Sequence, residues 1–599
     1  MNPLSPEVER RRRLITRMAP LALIAFVAFV VGAIAGTPSG SPEKEAAKRF
    51  TTAWQNGEYA AMYKELNPGS RRKISINDFV IAYREADQIA TVRSLEAGSP
   101  GSTSSVAVPE ESSSADTRTI VEVPITVSTV AFGPVEAQLE LPFAEDGVAW
   151  EKRLAFPGLH EGEHLENQIE LAPRAPILAA DGTPLAEGPT EARAHPIGSD
   201  AIDVTGEVGS AEEDEMEALA RQGFAPETPV GVTGLERAFN ARLAGKPGGS
   251  LLAVSDIDGS TRTLAEAKPK PGAPVKTTID TGLQESAVSA LAGRVGGIAV
   301  LDARNGDVRA LAGQAFSAPQ PPGSTFKMIT TAAALQKGVV SLDDEFEITS
   351  GANVGGRFIE NANGELCGGT FRQAFAESCN ADFAPLGPKI GNDELVGMAE
   401  SFGFNSPPTL YAPRIIAHVN PEESTIPTEI GEEVDLGVSA IGQGEVLATP
   451  LEMASVAQTI GNDGVREPTS IVANSKLRPH AKPVRVISKK IADELTELMI
   501  GVVDEGTGTA GAIAAGQVAG KTGTAELGQV VESEEGEEPI EEVEGEEATP
   551  QHRKDAWFSA FATVEKPKLA IGVLLIEAEA AGGEVAAPVA SEVLSAGYE

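Results

Sequence analysis

The sequence predicts a multidomain α+β chain. A single N-terminal transmembrane helix should lead into a small α+β domain, then a strand-and-loop domain, then a C-terminal α/β domain built on an antiparallel sheet flanked by helices. Three observations predict this. Arg10 to Arg13 and Arg17 precede a charge-free, largely apolar run from Met18 to Ala35, just long enough to cross a bilayer. Residues 43–141 pass from helical to alternating spacing of apolar side chains. From Thr277 onward strand and helix patterns intermix, and the turn Arg304-Asn305-Gly306-Asp307 joins two short apolar runs as a hairpin.

At 599 residues, with 41% of them hydrophobic, the chain is long enough for three or four globular domains. Its 87 acidic against 48 basic residues give a net charge of −39, which argues against nucleic acid as a partner, because phosphate binding needs a basic patch. Residues 1–17 are expected to stay cytoplasmic and 18–36 to form the anchor, leaving the bulk of the chain outside. A cleaved signal peptide is the competing reading, since Ala33-Ile34-Ala35 fits a small-residue cleavage site. Gly36 to Pro42 reads as a flexible exit from the membrane.

Within 43–155, Ala46, Ala47, Phe50, Ala53 and Trp54 recur at helical spacing, and Tyr59, Met62 and Tyr63 resume it after Asn56-Gly57, so two helices joined by a turn are expected. A third should run from Ile76 to Ala90, and Ile120 to Thr129 with Val135 to Leu141 read as paired strands. His160-Glu161-Gly162-Glu163-His164 satisfies the H-E-x-x-H string of zinc proteases. That chemistry needs a stable helix, however, and Pro157-Gly158 precedes the string while Gly162 interrupts it, so a connector is expected and no metal. Residues 156–275 form the strand-and-loop domain, Pro/Gly/Glu-rich from Ala172 to Lys270, with Arg174 to Leu178, Asp181 to Ala186 and Gly234-Leu235-Glu236 set aside as inter-domain packing.

The last domain, 276–599, should contain a helix through Ala292, the hairpin Gly297–Asp302 with Val308–Ala312, a helix at Asp493–Val503 and strands at 515–524, 556–563 and 569–577. Its chemistry centres on Gly323-Ser324-Thr325-Phe326-Lys327, which follows Pro319-Gln320-Pro321-Pro322 and opens an Ala-rich helical run. Ser324 and Lys327 then fall one turn apart on one face. A serine hydroxyl is a weak nucleophile until a base takes its proton, and a desolvated neutral lysine is such a base.

Ser324-x-x-Lys327, Ser378-Cys379-Asn380 and Lys521-Thr522-Gly523, in this order, resemble the three motifs of penicillin-binding proteins and serine β-lactamases. Ile441-Gly442-Gln443-Gly444 leading to Thr449-Pro450-Leu451 is a further stretch of similar kind. The resemblance covers about 276–599 and implies the penicilloyl-serine transferase (β-lactamase-like) fold. Residues 53–63, Ala-Trp-Gln-Asn-Gly-Glu-Tyr-Ala-Ala-Met-Tyr, resemble the cone-shaped nuclear-transport-factor-like domain of methicillin-resistance-type class B penicillin-binding proteins, and 156–275 resembles their pedestal or dimerisation domain in worn form, with Ala175 in place of a glycine.

That resemblance implies a membrane-anchored serine D,D-transpeptidase of the bacterial cell membrane, single-pass and extracytoplasmic, that cross-links peptidoglycan stem peptides and is acylated by β-lactams. Ser324 would attack the penultimate D-alanyl carbonyl and Lys327 accept its proton. Ser378 would relay a proton to the leaving amine, Asn380 orient Lys327 and hold the substrate backbone, and Lys521 with Thr522 bind the terminal carboxylate. Gly523 would let substrate backbone approach, and the N–H groups of Ser324 and Thr524 would hold the oxyanion. No cofactor or metal is implied, and other cell-wall synthesis proteins are the expected partners.

Hydrolysis by a D,D-carboxypeptidase or β-lactamase is the rival within the fold, and a β-lactam sensor or inactive scaffold the rival outside catalysis. A β-lactamase needs neither anchor nor extra domains, and a sensor of this kind places its receptor domain after several membrane segments. Cys367 and Cys379, the chain's two cysteines, leave a single disulfide open if the chain is exported. Ten glutamates between Glu532 and Glu547 cannot bury apolar surface and should form a mobile loop.

Overall fold

The computed structural model describes residues 41–107, 117–144, 146–412, 421–526 and 554–598. The expected anchor at 18–36 and the glutamate run at 532–547 lie outside the described residues. Among the described residues no helix is long and apolar enough to cross a membrane. Chain contacts divide the molecule into two compact units, the first made of 1–171, 214–226 and 246–270 and the second of 172–213, 227–245 and 271–599.

In the first unit, α1 (Pro42–Gln55) starts where Ser41 caps the Lys44 N–H and Pro42 supplies a preset φ at the first helical position. Its helical repeat buries Ala47, Phe50, Ala53 and Trp54. Gly57, at φ +70°, makes the turn into α2 (Tyr59–Lys64). After α3 (Pro68–Lys73), α4 (Ile76–Ile89) is capped by Ser75 and buries Phe79 and Tyr83; the Tyr83 ring lies 5.0 Å from that of Trp54 and 4.8 Å from that of Phe79. These helices cover a sheet of β1 (Val92–Ala97), β2 (Thr103–Ala107), β3 (Thr117–Thr129), β4 (Pro134–Ala144) and β5 (Gly147–Val148), in which β3 and β4 pair antiparallel from Thr119↔Phe143 to Ser128↔Pro134.

A second, antiparallel sheet joins β6 (Glu163–Glu170), β7 (Gly248–Ser255) and β8 (Thr261–Ala267), with β7 central. Leu165, Leu251 and Ala253 of this sheet share the first unit's core. The H-E-x-x-H string straddles a turn and the start of β6. Gly162 sits at φ +75°, His164 Nδ1 meets Asp256 Oδ1 at 2.6 Å, and Glu163 is held by Arg262 at 2.6 Å, so the two histidines do not share a helix face.

In the second unit, α5 (Thr281–Leu291) precedes the hairpin of β9 (Gly296–Asp302) and β10 (Val308–Gly313). The chain continues through α6 (Lys327–Lys337), α7 (Phe371–Ala376), α8 (Asn380–Phe383), α9 (Pro450–Gly461) and α10 (Lys489–Asp504), then β11 (Val518–Glu526), β12 (Lys554–Ala562), β13 (Leu569–Ala578) and α11 (Gly582–Ala596). The five strands form one antiparallel sheet in the order β10-β9-β13-β12-β11, which leaves β11 at an edge. Strand β12 is buried on both faces. Trp557 and Phe561 join the core of α6, α9 and α10, while Ala556, Phe558 and Ala560 join that of α5 and α11, which explains why apolar residues fill 556–562 on both faces with Ser559 the one interruption.

Residues 172–213 and 227–245 of this unit add Ile177, Leu185, Leu235 and Leu243 to a third core that includes Leu301 and Leu311 of the hairpin. Beside it Arg174 and Arg193 converge on Glu236. Arg174 Nε donates to Glu236 Oε2 and Arg193 Nε to Oε1, each at 2.7 Å, and both Arg174 and Glu236 side chains are fully buried. The stretches that the sequence assigns to packing thus contain an ion cluster.

Candidate active site

The turn that carries Ser324 is a 3₁₀ segment, Gly323–Phe326, that runs straight into α6. Its position is set by backbone. Gly323 adopts φ +51°, donates its N–H to Gly442 O at 2.9 Å, and passes so near β11 that a Cβ on it would stand 2.6 Å from Thr524 O. Gly442 has equally little room, since its Cβ would stand 2.1 Å from Gly323 O. The proline lead-in is tied by reciprocal bonds between Gln320 and Ala448 and by Trp557 Nε1 donating to Pro321 O at 2.9 Å. Gly523 answers to the same approach, because a Cβ there would meet Pro322 O at 2.6 Å. The chain's own backbone therefore requires a glycine at 523, a reason the sequence reading does not supply.

Ser324 is half-buried, whereas Lys327 and Lys521 are fully buried. Lys327 Nζ donates to Ser378 O at 2.8 Å, Asn380 Oδ1 at 2.8 Å and Ser378 Oγ at 3.3 Å. Lys521 Nζ reaches Ser378 Oγ at 2.9 Å and Thr522 O at 3.1 Å. One hydroxyl thus lies between two amines. Each amine also sits over an aromatic ring, Lys327 over Phe383 at 5.1 Å and Lys521 over Phe375 at 5.7 Å. Among the described residues no hydrogen bond joins Ser324 Oγ to Lys327 Nζ, so the shared-proton contact expected from the sequence is not made in this state.

Burial drives the Lys327 amine well below its ordinary range, and repulsion from Lys521 adds to that, with the Asp382 carboxylate opposing. Burial alone brings Lys521 down to about 7. A neutral Lys327 keeps two N–H donors, enough for Ser378 O and Asn380 Oδ1, and presents a lone pair that can take a proton.

The Ser378 turn joins α7, which opens with a Thr370–Gln373 capping box, to α8. Ser378 itself is held at φ +64°, a left-handed conformation that a non-glycine residue adopts only where its surroundings impose it. Asn380 is fixed from both ends, its Nδ2 donating to Glu360 O at 2.9 Å. Cys367 and Cys379 are disulfide-bonded, Cα atoms 5.8 Å apart, and join the strand Cys367–Thr370 to the head of α8.

On β11, Thr522 Oγ1 shares a 2.6 Å hydrogen bond with Thr507, whose N–H donates to Ala376 O. Thr524 Oγ1 accepts from the Gly582 N–H, and Thr524 O accepts from Gln443 Nε2 at 3.4 Å. In an antiparallel strand the N–H and C=O of one residue point the same way, so the Thr524 N–H faces the turn that carries Ser324. All the residues expected from the three sequence motifs therefore gather at the β11 edge. Thr507, Gln443, Trp557 and Asp382 also meet here, and the sequence reading gives none of them a role; Gln443 alone carried a signal, as part of Gly442-Gln443-Gly444.

Residues 296–595 match the family model for the penicillin binding protein transpeptidase domain, and 185–277 match that for the penicillin-binding protein dimerisation domain. The peptidoglycan D,D-transpeptidase PbpA of Mycolicibacterium smegmatis is 37% identical over 307 residues, which cover 48% of this chain and 56% of that protein. PbpA of Mycobacterium tuberculosis is 36% identical over 309 residues, covering 48% and 57%. The matched part is thus little more than half the length of these relatives. Among solved structures, a ceftriaxone acyl-enzyme complex of penicillin-binding protein A from M. tuberculosis is similar at a TM-score of 0.55 and 27% identity, over 72% of this chain and 99% of that one. The D,D-transpeptidase domain of a peptidoglycan glycosyltransferase from Eggerthella lenta gives a TM-score of 0.54 at 27% identity, over 71% and 98%.

Proposed function

This chain belongs to the penicillin-binding protein transpeptidase family, with a dimerisation domain ahead of the transpeptidase domain as in class B, and from that premise we propose that it is a serine D,D-transpeptidase. Its substrates are peptidoglycan stem peptides, and β-lactams acylate it at the same serine. The observation that carries this reading is the bonding of Lys327, Ser378, Asn380 and Lys521 into one buried cluster beside Ser324.

Lys327 takes the Ser324 proton as Oγ attacks the D-alanyl carbonyl, and the oxyanion is held between the main-chain N–H groups of Ser324 and Thr524. Ser378 Oγ, bridging both lysines, returns a proton to the leaving D-alanine amine. The amine of a second stem then takes the acyl group. Lys521 and the Thr522 hydroxyl hold the terminal carboxylate, and Gly523 lets substrate backbone approach the strand. The names of the M. smegmatis and M. tuberculosis relatives support the choice of transpeptidation over hydrolysis.

Residues 43–155 form a nuclear-transport-factor-like domain, a reading supported by helices α1 to α4 lying on the β1–β5 sheet. Residues 18–36 anchor the chain in the bacterial cell membrane with the catalytic domain extracytoplasmic, where cell-wall synthesis proteins are its partners. Labelling with a fluorescent penicillin tests the central reading. Wild type should be labelled covalently and Ser324→Ala not at all, and a labelled Ser324→Ala protein would remove Ser324 as the nucleophile.

A further inference from the structure

Among the described residues every hydrogen-bond acceptor around Lys327 Nζ is neutral: a carbonyl, a hydroxyl and an amide. When Lys327 takes a proton it becomes a buried cation facing a second buried amine, at Lys521, and those neutral acceptors alone leave that charge uncompensated. The short helix α8 supplies the missing sign. Asn380, which binds Lys327, and Phe383, whose ring lies under it, flank Asp382 on the same turn. Asp382 is only 5% exposed, and its Oδ2 is buried with no hydrogen-bond partner among the described residues. A carboxylate left without a donor in such a place is costly unless a nearby charge favours it.

The elements packed against α8 are the strands Gly351–Val354, Arg357–Glu360 and Cys367–Thr370 and the helix Leu386–Ile390. Their charged groups are Arg357, Glu360 and Lys389, all exposed, and Cys367 is in the disulfide. β11 brings Lys521 to Lys327 through their shared Ser378. Of all these, Lys521 and Asp382 are the groups whose charge acts on Lys327, with opposite signs, and Lys327 is the group whose charge acts on Asp382.

We propose that Asp382 is a positioning residue for acylation: its carboxylate stabilises the ammonium that Lys327 becomes on accepting the Ser324 proton, and so makes Lys327 a stronger base than its burial allows. The step balances without any further reagent. The Ser324 O–H bond breaks, its oxygen bonds the acyl carbonyl, and the proton passes to Lys327 Nζ. Burial outweighs the opposing pull of Lys327 and raises the Asp382 carboxyl to about 6, so the carboxylate still predominates at neutral pH. This inference rests on the catalytic reading of Ser324 and Lys327 given above.

The sign of the test follows from the role of the base. Neutral Lys327 is the active form, so acylation is lost on the acid side as Lys327 protonates, and an ionised Asp382 moves that loss to higher pH. In Asp382→Asn the midpoint of the acid limb should move down by about one pH unit, the size of shift one nearby opposite charge gives. The plateau rate should fall about threefold to tenfold as the base weakens. Asp382→Glu should keep the limb near its wild-type position.

The measurement is the second-order rate of penicillin acylation of the full chain from pH 5 to 9, with thermal unfolding followed in parallel. A folded Asp382→Asn protein with the wild-type limb would overturn the proposal. Should that variant not fold, the same profile of Asp382→Ser decides it by the same criterion. Wild-type protein that takes no label would defeat the catalytic reading itself, whereas labelled wild type with an unshifted variant limb defeats the role of Asp382 alone.

Discussion

The second unit buries two clusters of charge-bearing side chains, and they are built on opposite plans. At Glu236 each carboxylate oxygen receives one guanidinium, from Arg174 and from Arg193, and Arg174 has a further bond to Asn240. At Ser378 two amines converge on one neutral hydroxyl, and the nearby carboxylate of Asp382 has an oxygen bonded to nothing among the described residues. Arginine keeps its proton in almost any surroundings, so the first cluster is permanently charged and satisfied. Lysine gives its proton up when burial and a like charge demand it, so the second is poised to accept one. The same degree of burial yields a fastener in one place and an amine able to take up a proton in the other, and the choice of cation and the count of anions decide which.

Exchanging the cations should break the contrast most sharply. Lys327→Arg keeps a positive group near Ser378 and Asn380 but cannot supply a lone pair, so penicillin acylation should fall by about 10² to 10⁴, the usual yield of a general base. Rapid labelling of this variant would mean that the base lies elsewhere. Glu236→Gln should act on the fold instead, at a cost of about 3–5 kcal/mol, because two buried guanidiniums lose the one carboxylate that pairs with them among the described residues. Denaturant unfolding measures that cost, and the folded fraction should still be labelled at the wild-type rate; a stable variant with slowed labelling would overturn the division of labour.

The smallest effect concerns stability and pH. The Lys521 amine, at about 7 when folded, lies below its ordinary 10.5, so between those values the unfolded chain holds a proton that the folded chain lacks. Stability should therefore rise with pH across that window. Lys521→Met removes this slope. It should melt several degrees higher than wild type at pH 7, with the gap closing toward pH 10, and a gap independent of pH would show that Lys521 is not neutralised by burial.

What could be read beforehand follows the range of the interactions involved. Helices α1, α2 and α4, strands β3 and β4 and the β9–β10 hairpin are local patterns, and their residues carry the spacing openly. β1 was missed because Leu95 is its one buried residue, too little to show an alternation. The pairing of β6 with β7 was also out of reach, since it joins residues such as Leu165 and Ala253 across a long intervening stretch.

At the site the motifs locate Ser324, Lys327, Ser378, Asn380 and Lys521, because each belongs to a short pattern. Asp382 belongs to none and becomes visible only when its burial beside Lys327 is known. Arg174 and Glu236 lie in separate stretches whose ion pair appears only once the chain has folded. The reason for a glycine at 523 was missed for a similar cause: the crowding atom, Pro322 O, is far away in sequence.

The glycines at 323, 442 and 523 make a seam in which main chain lies on main chain. A side chain at any of the three has nowhere to go but between two backbones, so almost any replacement there wedges the Ser324 turn away from the chain beside it and disturbs every group that the two together hold in place. The seam is therefore the least substitutable part of the site, and a ligand that grips main chain along it meets a surface that single exchanges alter least.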